Sequence, residues 1–259
     1  MYLTPTDAST IGRSILTSSL LRPALTRRWM KPISFTSDPT SSVGAPWEIR
    51  RVAIGPNNRI VDLYTKSGDL PGYSSNLILI PDYDLGFIIM TAGDAAHTNT
   101  IVLANMVVDA LLPAVEEAAR EEADAAFSGI YESSDKALNS SLTIASDPLK
   151  PGLGVTSWMS NGTDMLAADI LAPIVRLYPS GLSRNLKNGD VQVGFRAVFE
   201  SPEVPLGGPF NQQCFTWAGV DGTYYGAVST DEFLFTLDGN RKTKSVSPRV
   251  LRADLDKMT

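Results

Sequence analysis

The sequence contains a single cysteine, Cys214, and a single histidine, His97. One cysteine excludes an internal disulfide framework and a zinc site built from several cysteines, and one histidine excludes metal sites that use several histidines. We therefore expect no metal ion and no other cofactor.

Basic residues are also scarce, with 22 Lys and Arg against 28 Asp and Glu and a formal net charge of −6. A nucleic-acid surface requires clustered Lys and Arg, so we expect no nucleic-acid partner. Uninterrupted apolar runs are short: residues 77–81 and 87–90 have the length of strands, whereas a membrane-spanning helix requires roughly 18 residues. We therefore expect no membrane partner.

The composition that remains is that of a folded protein, with 43% hydrophobic and 19% charged residues. Helical spacing predicts a helix capped by Thr6 or Asp7 and a second helix over residues 24–30. A Ser/Thr/Pro/Gly-rich loop is predicted over 35–46, followed by an antiparallel meander of four strands and a long helix. The strands are predicted at 47–54, 59–66, 76–80 and 85–91, and the helix at 98–126.

After residue 126 the pattern changes to short β segments separated by turns such as Asn161-Gly162. Strands are predicted from 127 and at 141–145, 152–158, 174–178, 191–200, 215–217, 224–228, 233–237 and 250–253. This spacing is typical of an antiparallel sandwich or barrel. The sequence thus predicts an α+β domain over 1–126, an antiparallel sheet with flanking helices, and an antiparallel β domain over 127–259.

The candidate site is Lys66-Ser67-Gly68 at the end of the second predicted meander strand. A lysine ammonium, a hydroxyl and a glycine that admits close backbone approach are what recognition of a carboxylate or oxyanion at a strand edge requires. The connection that follows, residues 67–75, is predicted to be long and irregular, as binding loops often are.

These features resemble the C-terminal half of the serine β-lactamase and penicillin-binding-protein fold, in the version found in fungal β-lactamase-related hydrolases. The matching stretches are MYLTPTDASTIGRSIL, LTRRWMKP, SSVGAPWEIRR, YTKSGDLPGYSSNLILIPDYDLGFIIMTAG and the helix after them, and FSGIY and NSSLTI continue the match into the β domain. The resemblance implies that Lys66, Ser67 and Gly68 are the family's K-[TS]-G motif and act in catalysis. It assigns substrate binding to Asp69, whose backbone would help to form the oxyanion hole, and to Gly72, Tyr73 and Ser74.

The family also carries an S-x-x-K nucleophile motif and a Tyr-x-Asn motif, both upstream of the segment that matches the first residues here. We therefore expect a partial domain without nucleophile or base, inactive alone. It would be a truncated gene product, a chain with a wrongly assigned start, or a domain fragment. Ser133 and Lys136 form a literal S-x-x-K, but they lie in a polar loop of the β domain, where no helix would place the lysine beside the serine. His97 is expected to be a capping or surface histidine and Cys214 a buried small hydrophobe.

The leading hypothesis is therefore a β-lactamase-related serine hydrolase that hydrolyses or transfers an ester or amide acyl group. The alternative is a repurposed protein of fungal secondary metabolism, either acyltransferase-like or binding a small apolar molecule in its β domain. The expected partners are a small-molecule substrate or ligand and a complementing chain or second copy. Sequons at Asn139 and Asn161, the single cysteine and the resemblance to a family whose members are often secreted together predict a secreted full-length parent. A chain translated from Met1 would be cytoplasmic.

Overall fold

The computed structural model describes residues 3–55, 58–168, 173–200, 217 and 219–258. The chain divides into two compact units, Met1–Ala119 and Arg120–Thr259. The division falls inside one long helix, and the boundary predicted at residue 126, which lies in the same helix, stays a prediction.

The first unit begins with helices α1 (Pro5–Leu16) and α2 (Pro23–Trp29). The N-cap of α1 is Thr4, whose hydroxyl accepts a hydrogen bond from the Asp7 backbone while the Asp7 carboxylate accepts one from the Thr4 backbone. This reciprocal pair satisfies two backbone donors that the first turn leaves free, and Pro5 suits the first helical position. The prediction of a cap at Thr6 or Asp7 was therefore wrong by two residues or more.

A six-stranded antiparallel sheet follows, in the order β1-β2-β3-β4-β5-β6. Its strands are β1 (Ser34–Phe35), β2 (Ser41–Val43), β3 (Glu48–Ile54), β4 (Arg59–Leu70), β5 (Tyr73–Ile80) and β6 (Leu85–Ala92). The predicted four-stranded meander corresponds to β3–β6. The predicted loop at 35–46 is corrected by β1 and β2, because these short polar segments pair with each other and with β3, and tertiary pairing outweighs their weak strand propensity.

Helices cover both faces of this sheet. On one face Tyr64 and Leu79 pack with Met30 and Trp47 beneath α1 and α2. On the other face a second cluster packs against α3 (Ala96–Phe127); it contains Ile54, Val61, Leu63, Ile78, Ile80, Val108 and Leu112. Successive residues of a strand point to opposite faces of the sheet. The central strands therefore carry apolar side chains for both clusters.

The helix α3 is long and apolar enough to span a membrane by length and composition alone, with mean hydropathy 1.5 over its most apolar stretch, of which 17% is buried. The count of uninterrupted runs did not reveal this stretch because single polar residues, Asn105 and Asp109, interrupt it. Core helices of soluble proteins share this length and composition but are mostly buried; in α3 the buried Val108 and Leu112 pack against the sheet.

A polar cluster fixes α3 to the sheet at the opposite end from Lys66. Glu116 of α3 accepts hydrogen bonds from the Arg59 guanidinium and the Tyr83 hydroxyl, and Arg59 also lies 3.3 Å from Asp82. Burial and the hydrogen bond to Glu116 raise the pKa of Tyr83. The phenol therefore stays protonated and donates to Glu116.

The second unit is a closed barrel. Its strands are β7 (Gly129–Ser133), β8 (Ser141–Ala145), β9 (Leu153–Ser160), β10 (Thr163–Asp164), β11 (Ile174–Asn185), β12 (Val191–Glu200), β13 (Tyr224–Tyr225), β14 (Val228–Ser229), β15 (Glu232–Leu237), β16 (Thr243–Pro248) and β17 (Leu255–Lys257). Antiparallel pairing runs β9-β11-β12-β15-β16-β17-β7-β8 and returns from β8 to β9. The eight strands form an up-and-down barrel, and β10 and the β13–β14 hairpin lie outside the ring.

Large side chains fill the barrel. Trp158, Tyr131, Phe233 and Phe235 are fully buried in a core that also contains Leu142, Ile144, Val175, Leu177, Phe195, Val246 and Leu255. An eight-stranded barrel has an interior just wide enough to be filled in this way. The predicted fold class, an α+β sheet domain followed by an antiparallel β domain, is confirmed.

Two details of the β domain differ from the prediction. Residues 249–251 form a 3₁₀ turn instead of the strand predicted at 250–253. The strand β16 was missed because its sequence, TKSVSP, is mostly polar. The predicted strand at 215–217 and Cys214 lie outside the described residues, apart from Trp217.

Candidate active site

The site lies on the part of β4 that extends beyond β3. The last pair between these strands joins Glu48 to Thr65, while β4 continues to pair with β5 as far as Leu70 opposite Tyr73. Among the described residues, β4 therefore has no strand partner on its β3 side over residues 66–70. We call this segment the open edge.

A tight turn ends the open edge. Only Pro71 and Gly72 connect β4 to β5, so the long irregular connection predicted at 67–75 was wrong. Proline suits the first central position of a turn, and Gly72 has φ +75°, a left-handed value that glycine adopts without strain. Residues 66–76 therefore form a tightly turned hairpin with continuous strand pairing instead of a long loop.

Glu48 binds the lysine and serine of the motif. Its carboxylate accepts hydrogen bonds from Nζ of Lys66 at 2.5 Å, from Oγ of Ser67 at 2.9 Å and from the backbone N–H of Ser67 at 3.2 Å. Nζ of Lys66 also donates to the carbonyl of Ser67 at 2.9 Å. The ammonium is thereby held against the open edge.

Burial raises the pKa of Glu48, but the hydrogen bonds from Lys66 and Ser67 outweigh burial and leave the pKa below its ordinary value. Glu48 is therefore an ionised carboxylate at neutral pH. Sequence reasoning missed this residue, because its role depends on the register of β3 against β4.

The backbone of the open edge offers a further donor. The N–H of Ser67 points away from β5, towards Glu48. In an antiparallel ladder the direction alternates along the strand, so the N–H of Asp69 points to the same open side. An N–H held on a rigid strand and free of the ladder can stabilise a developing oxyanion.

The carboxylate of Asp69 extends towards α3, where Nδ1 of His97 lies 3.0 Å from Oδ1. Hydrogen bonds from the Ser74 hydroxyl and then from His97 lower the pKa of Asp69. His97 was expected to be a capping or surface histidine; it is 68% exposed and pairs with a residue of the open edge. Ser74 is buried and its hydroxyl hydrogen-bonds to the Asp69 carboxylate, while its predicted role in substrate binding stays a prediction.

The other face of the open edge is apolar and accessible. Leu70 and Tyr73 are each 65% exposed and lie opposite each other at the tip of the hairpin. A Cβ atom at position 68 would lie 3.1 Å from Ser75 Oγ, which is a tight contact. Glycine at this position leaves the surface between Lys66 and Leu70 without a protruding side chain.

The literal S-x-x-K of the β domain is arranged differently. Ser133 is buried at the end of β7, and its Oγ accepts a hydrogen bond from the Asp135 backbone. The ammonium of Lys136 binds Glu132 at 2.7 Å instead. Neither side chain is placed to activate the other.

Other binding chemistries find little support in the described residues. Within them, no group of three or more His, Cys, Asp or Glu side chains is arranged to hold a metal ion. The barrel interior, which the alternative hypothesis assigned to a small apolar molecule, is occupied by Trp158, Phe233 and their neighbours.

Comparisons with known proteins identify relatives of both units. A family model described as "Beta-lactamase-like-like, C-terminal domain" matches residues 119–259. A "Beta-lactamase-like protein" of Arthroderma benhamiae is 30% identical over 269 residues, which cover 92% of this chain and 45% of that protein. "Probable hydrolase clz13" of Cochliobolus lunatus is 32% identical over 171 residues, covering 64% of this chain and 27% of that protein. The chain thus spans less than half the length of these relatives.

Among solved structures, the octameric penicillin-binding protein homologue from Pyrococcus abyssi aligns with a TM-score of 0.33 and 14% identity, covering 75% of this chain and 45% of that chain.

Proposed function

This chain belongs to the β-lactamase-like family, and from that premise we propose that it supplies the lysine and oxyanion side of a serine acyl-transfer site. The observation that carries the proposal is the open edge of β4, where the Lys66 ammonium and an outward backbone N–H lie together on a rigid hairpin. Donors fixed in this way need no reorganisation when charge develops on a substrate oxygen.

In the proposed reaction a serine oxygen attacks the carbonyl carbon of an ester or amide, and a base takes the proton of the hydroxyl. The carbonyl oxygen becomes an oxyanion that accepts a hydrogen bond from the N–H of Asp69. The leaving alcohol or amine takes up the proton, and water or another acceptor then releases the acyl group from the serine. The Lys66 ammonium adds positive charge beside the oxyanion.

The serine and its base are proposed to come from polypeptide outside these 259 residues. In the family they belong to the S-x-x-K and Tyr-x-Asn motifs, and the geometry of Ser133 and Lys136 does not provide a substitute. The 259-residue chain alone is therefore proposed to turn over no ester. Hydrolysis and transfer to another acceptor remain two outcomes of the same acyl-serine chemistry.

Covalent labelling tests this proposal. A fluorophosphonate probe is added to the 259-residue chain and to the extended polypeptide, defined as this chain together with the reading frame upstream of it in its gene. We expect stoichiometric labelling of the extended polypeptide and none of the shorter chain. Labelling of the shorter chain that Ser133→Ala abolishes would overturn the proposal, as would an extended polypeptide that remains unlabelled.

A further inference from the structure

The motif donors at the open edge are largely occupied by one side chain of the protein itself. A serine hydroxyl has a single O–H donor, and that of Ser67 points to Glu48. The backbone N–H of Ser67 points to the same carboxylate. Of the three Nζ protons of Lys66, one goes to Glu48 and one to the Ser67 carbonyl. The carboxylate of Glu48 thus lies where an anionic group of a ligand would find its donors.

We propose that Glu48 determines the substrate class of this site: its carboxylate fills the anion-binding position beside Lys66 and Ser67, so that the site accepts neutral esters or amides and rejects substrates with a carboxylate at that position. The statement about substrates rests on the proposed function, whereas the occupied anion position does not.

Glu48 is fixed in this position by its backbone. It is the first residue of β3 and pairs with Thr65, whose hydroxyl donates to the Glu48 carbonyl at 2.6 Å. The preceding residue, Trp47, is buried between Trp29 and Tyr64. Because the strand is held in place, a ligand could displace the Glu48 carboxylate only by breaking its hydrogen bonds to Lys66 and Ser67.

The charges around the open edge also disfavour an anionic ligand. Lys66 carries one positive charge, while Glu48 and Asp69 are both ionised and carry two negative ones. A further carboxylate within hydrogen-bonding reach of Ser67 would meet Glu48 at close range, where like charges repel strongly. A neutral acyl group meets no such repulsion and can use the Asp69 N–H.

Acetate and acetamide, which share a shape but differ in charge, test the occupied position in the 259-residue chain. Binding is followed through the backbone amide signals of Ser67 and Asp69 in ¹⁵N-labelled protein. We expect acetate to leave both signals of the wild type unchanged. In Glu48→Gln and in Glu48→Ala we expect acetate to bind with at least tenfold higher affinity, and acetamide to change by less than about threefold.

Asp62→Asn is the matched control. Asp62 lies on β4 and pairs with Arg51, so this substitution removes one negative charge, as Glu48→Gln does, but at a distance from Lys66. Unchanged signals outside β3–β5 show that the variants are folded, and the two Glu48 variants check each other. Equal acetate affinity in wild type and both Glu48 variants would overturn the inference, as would an equal gain in Asp62→Asn.

Acetate binding does not require the serine nucleophile. The experiment therefore tests the occupied anion position separately from the proposed acyl-transfer function. An acetate gain in Glu48→Gln together with an unlabelled extended polypeptide would refute the proposed function and leave the occupied anion position standing. If the extended polypeptide is labelled, a second measurement applies: kcat/KM for p-nitrophenyl butyrate relative to mono-p-nitrophenyl glutarate. We expect Glu48→Gln to lower this ratio at least tenfold; an unchanged ratio would overturn the substrate-class statement.

Discussion

The carboxylate of Asp69 and the imidazole of His97 meet at 3.0 Å, which places the only histidine of the sequence beside the open edge of β4. Asp69 directly follows the Lys66-Ser67-Gly68 motif, and its backbone N–H is the proposed oxyanion donor. The pair connects α3 to the strand that carries the motif. The pKa of Asp69 reports on this arrangement whether or not the site is catalytic.

The first prediction concerns the titration of Asp69, whose pKa is lowered by Ser74 and, to a smaller extent, by His97. Because the pKa in the folded state is below the unfolded value of about 4, ionised Asp69 stabilises the fold above that pH. This contribution is lost as the pH falls through the lowered pKa. We expect Ser74→Ala to raise the pKa of Asp69 and His97→Gln to raise it less, measured by NMR titration of the side-chain carboxyl carbon.

Ser75→Ala is the matched control, since the Ser75 hydroxyl donates to the Gly68 carbonyl and has no role in lowering the pKa of Asp69. It should leave that pKa at the wild-type value. A Ser74→Ala variant in which Asp69 titrates as in the wild type would contradict the arrangement.

The second prediction concerns the cluster that fixes α3 to the sheet. Glu116→Ala removes the acceptor shared by Arg59 and Tyr83, which are only partly exposed, so we expect a loss of about 1–3 kcal/mol in the free energy of unfolding of the first unit. Asp109→Ala changes an exposed carboxylate on the same helix and should stay within about 0.5 kcal/mol of wild type. Urea titration followed by amide signals of β4 measures both, and equal losses would refute the role of Glu116.

Much of the fold could be predicted because its signals are local. Alternating apolar residues marked β3–β6, and helical spacing marked α3. The strands that were missed, β1, β2 and β16, are polar and are stabilised by their neighbours in the sheet. The barrel closes through the pairing of β8 with β9, and the sequence of either strand alone does not show this pairing.

The candidate site was predicted only in part, for the same reason. Lys66, Ser67 and Gly68 are adjacent in sequence and form a recognisable motif. Glu48 lies 18 residues earlier and reaches Lys66 only through the register of β3 against β4, and His97 reaches Asp69 only through the position of α3. Pairing across strands and layers is not encoded by local spacing.

The third prediction concerns the extent of the β domain. The ring of Phe127 packs against Phe195 and Phe235, with centroids 5.0 and 5.1 Å apart. We expect residues 120–259 to unfold cooperatively when expressed alone, and residues 128–259 to be less stable by about 3 kcal/mol because this ring is lost. Urea denaturation compares the two. A non-cooperative transition for 120–259, or equal stability of the two segments, would contradict the domain organisation described above.

The central claim is that the open edge of β4 provides the lysine and oxyanion side of an acyl-transfer site, and hydrolysis of p-nitrophenyl butyrate by the extended polypeptide tests it most directly. Losing one preorganised charge-stabilising group costs about 10²–10³ in rate in comparable hydrolases. We predict that Lys66→Ala lowers kcat/KM by this factor with an unchanged melting temperature, and that Lys136→Ala, which alters the literal S-x-x-K, has no effect. A Lys66→Ala variant within twofold of wild type, or a Lys136→Ala variant without activity, would contradict the account.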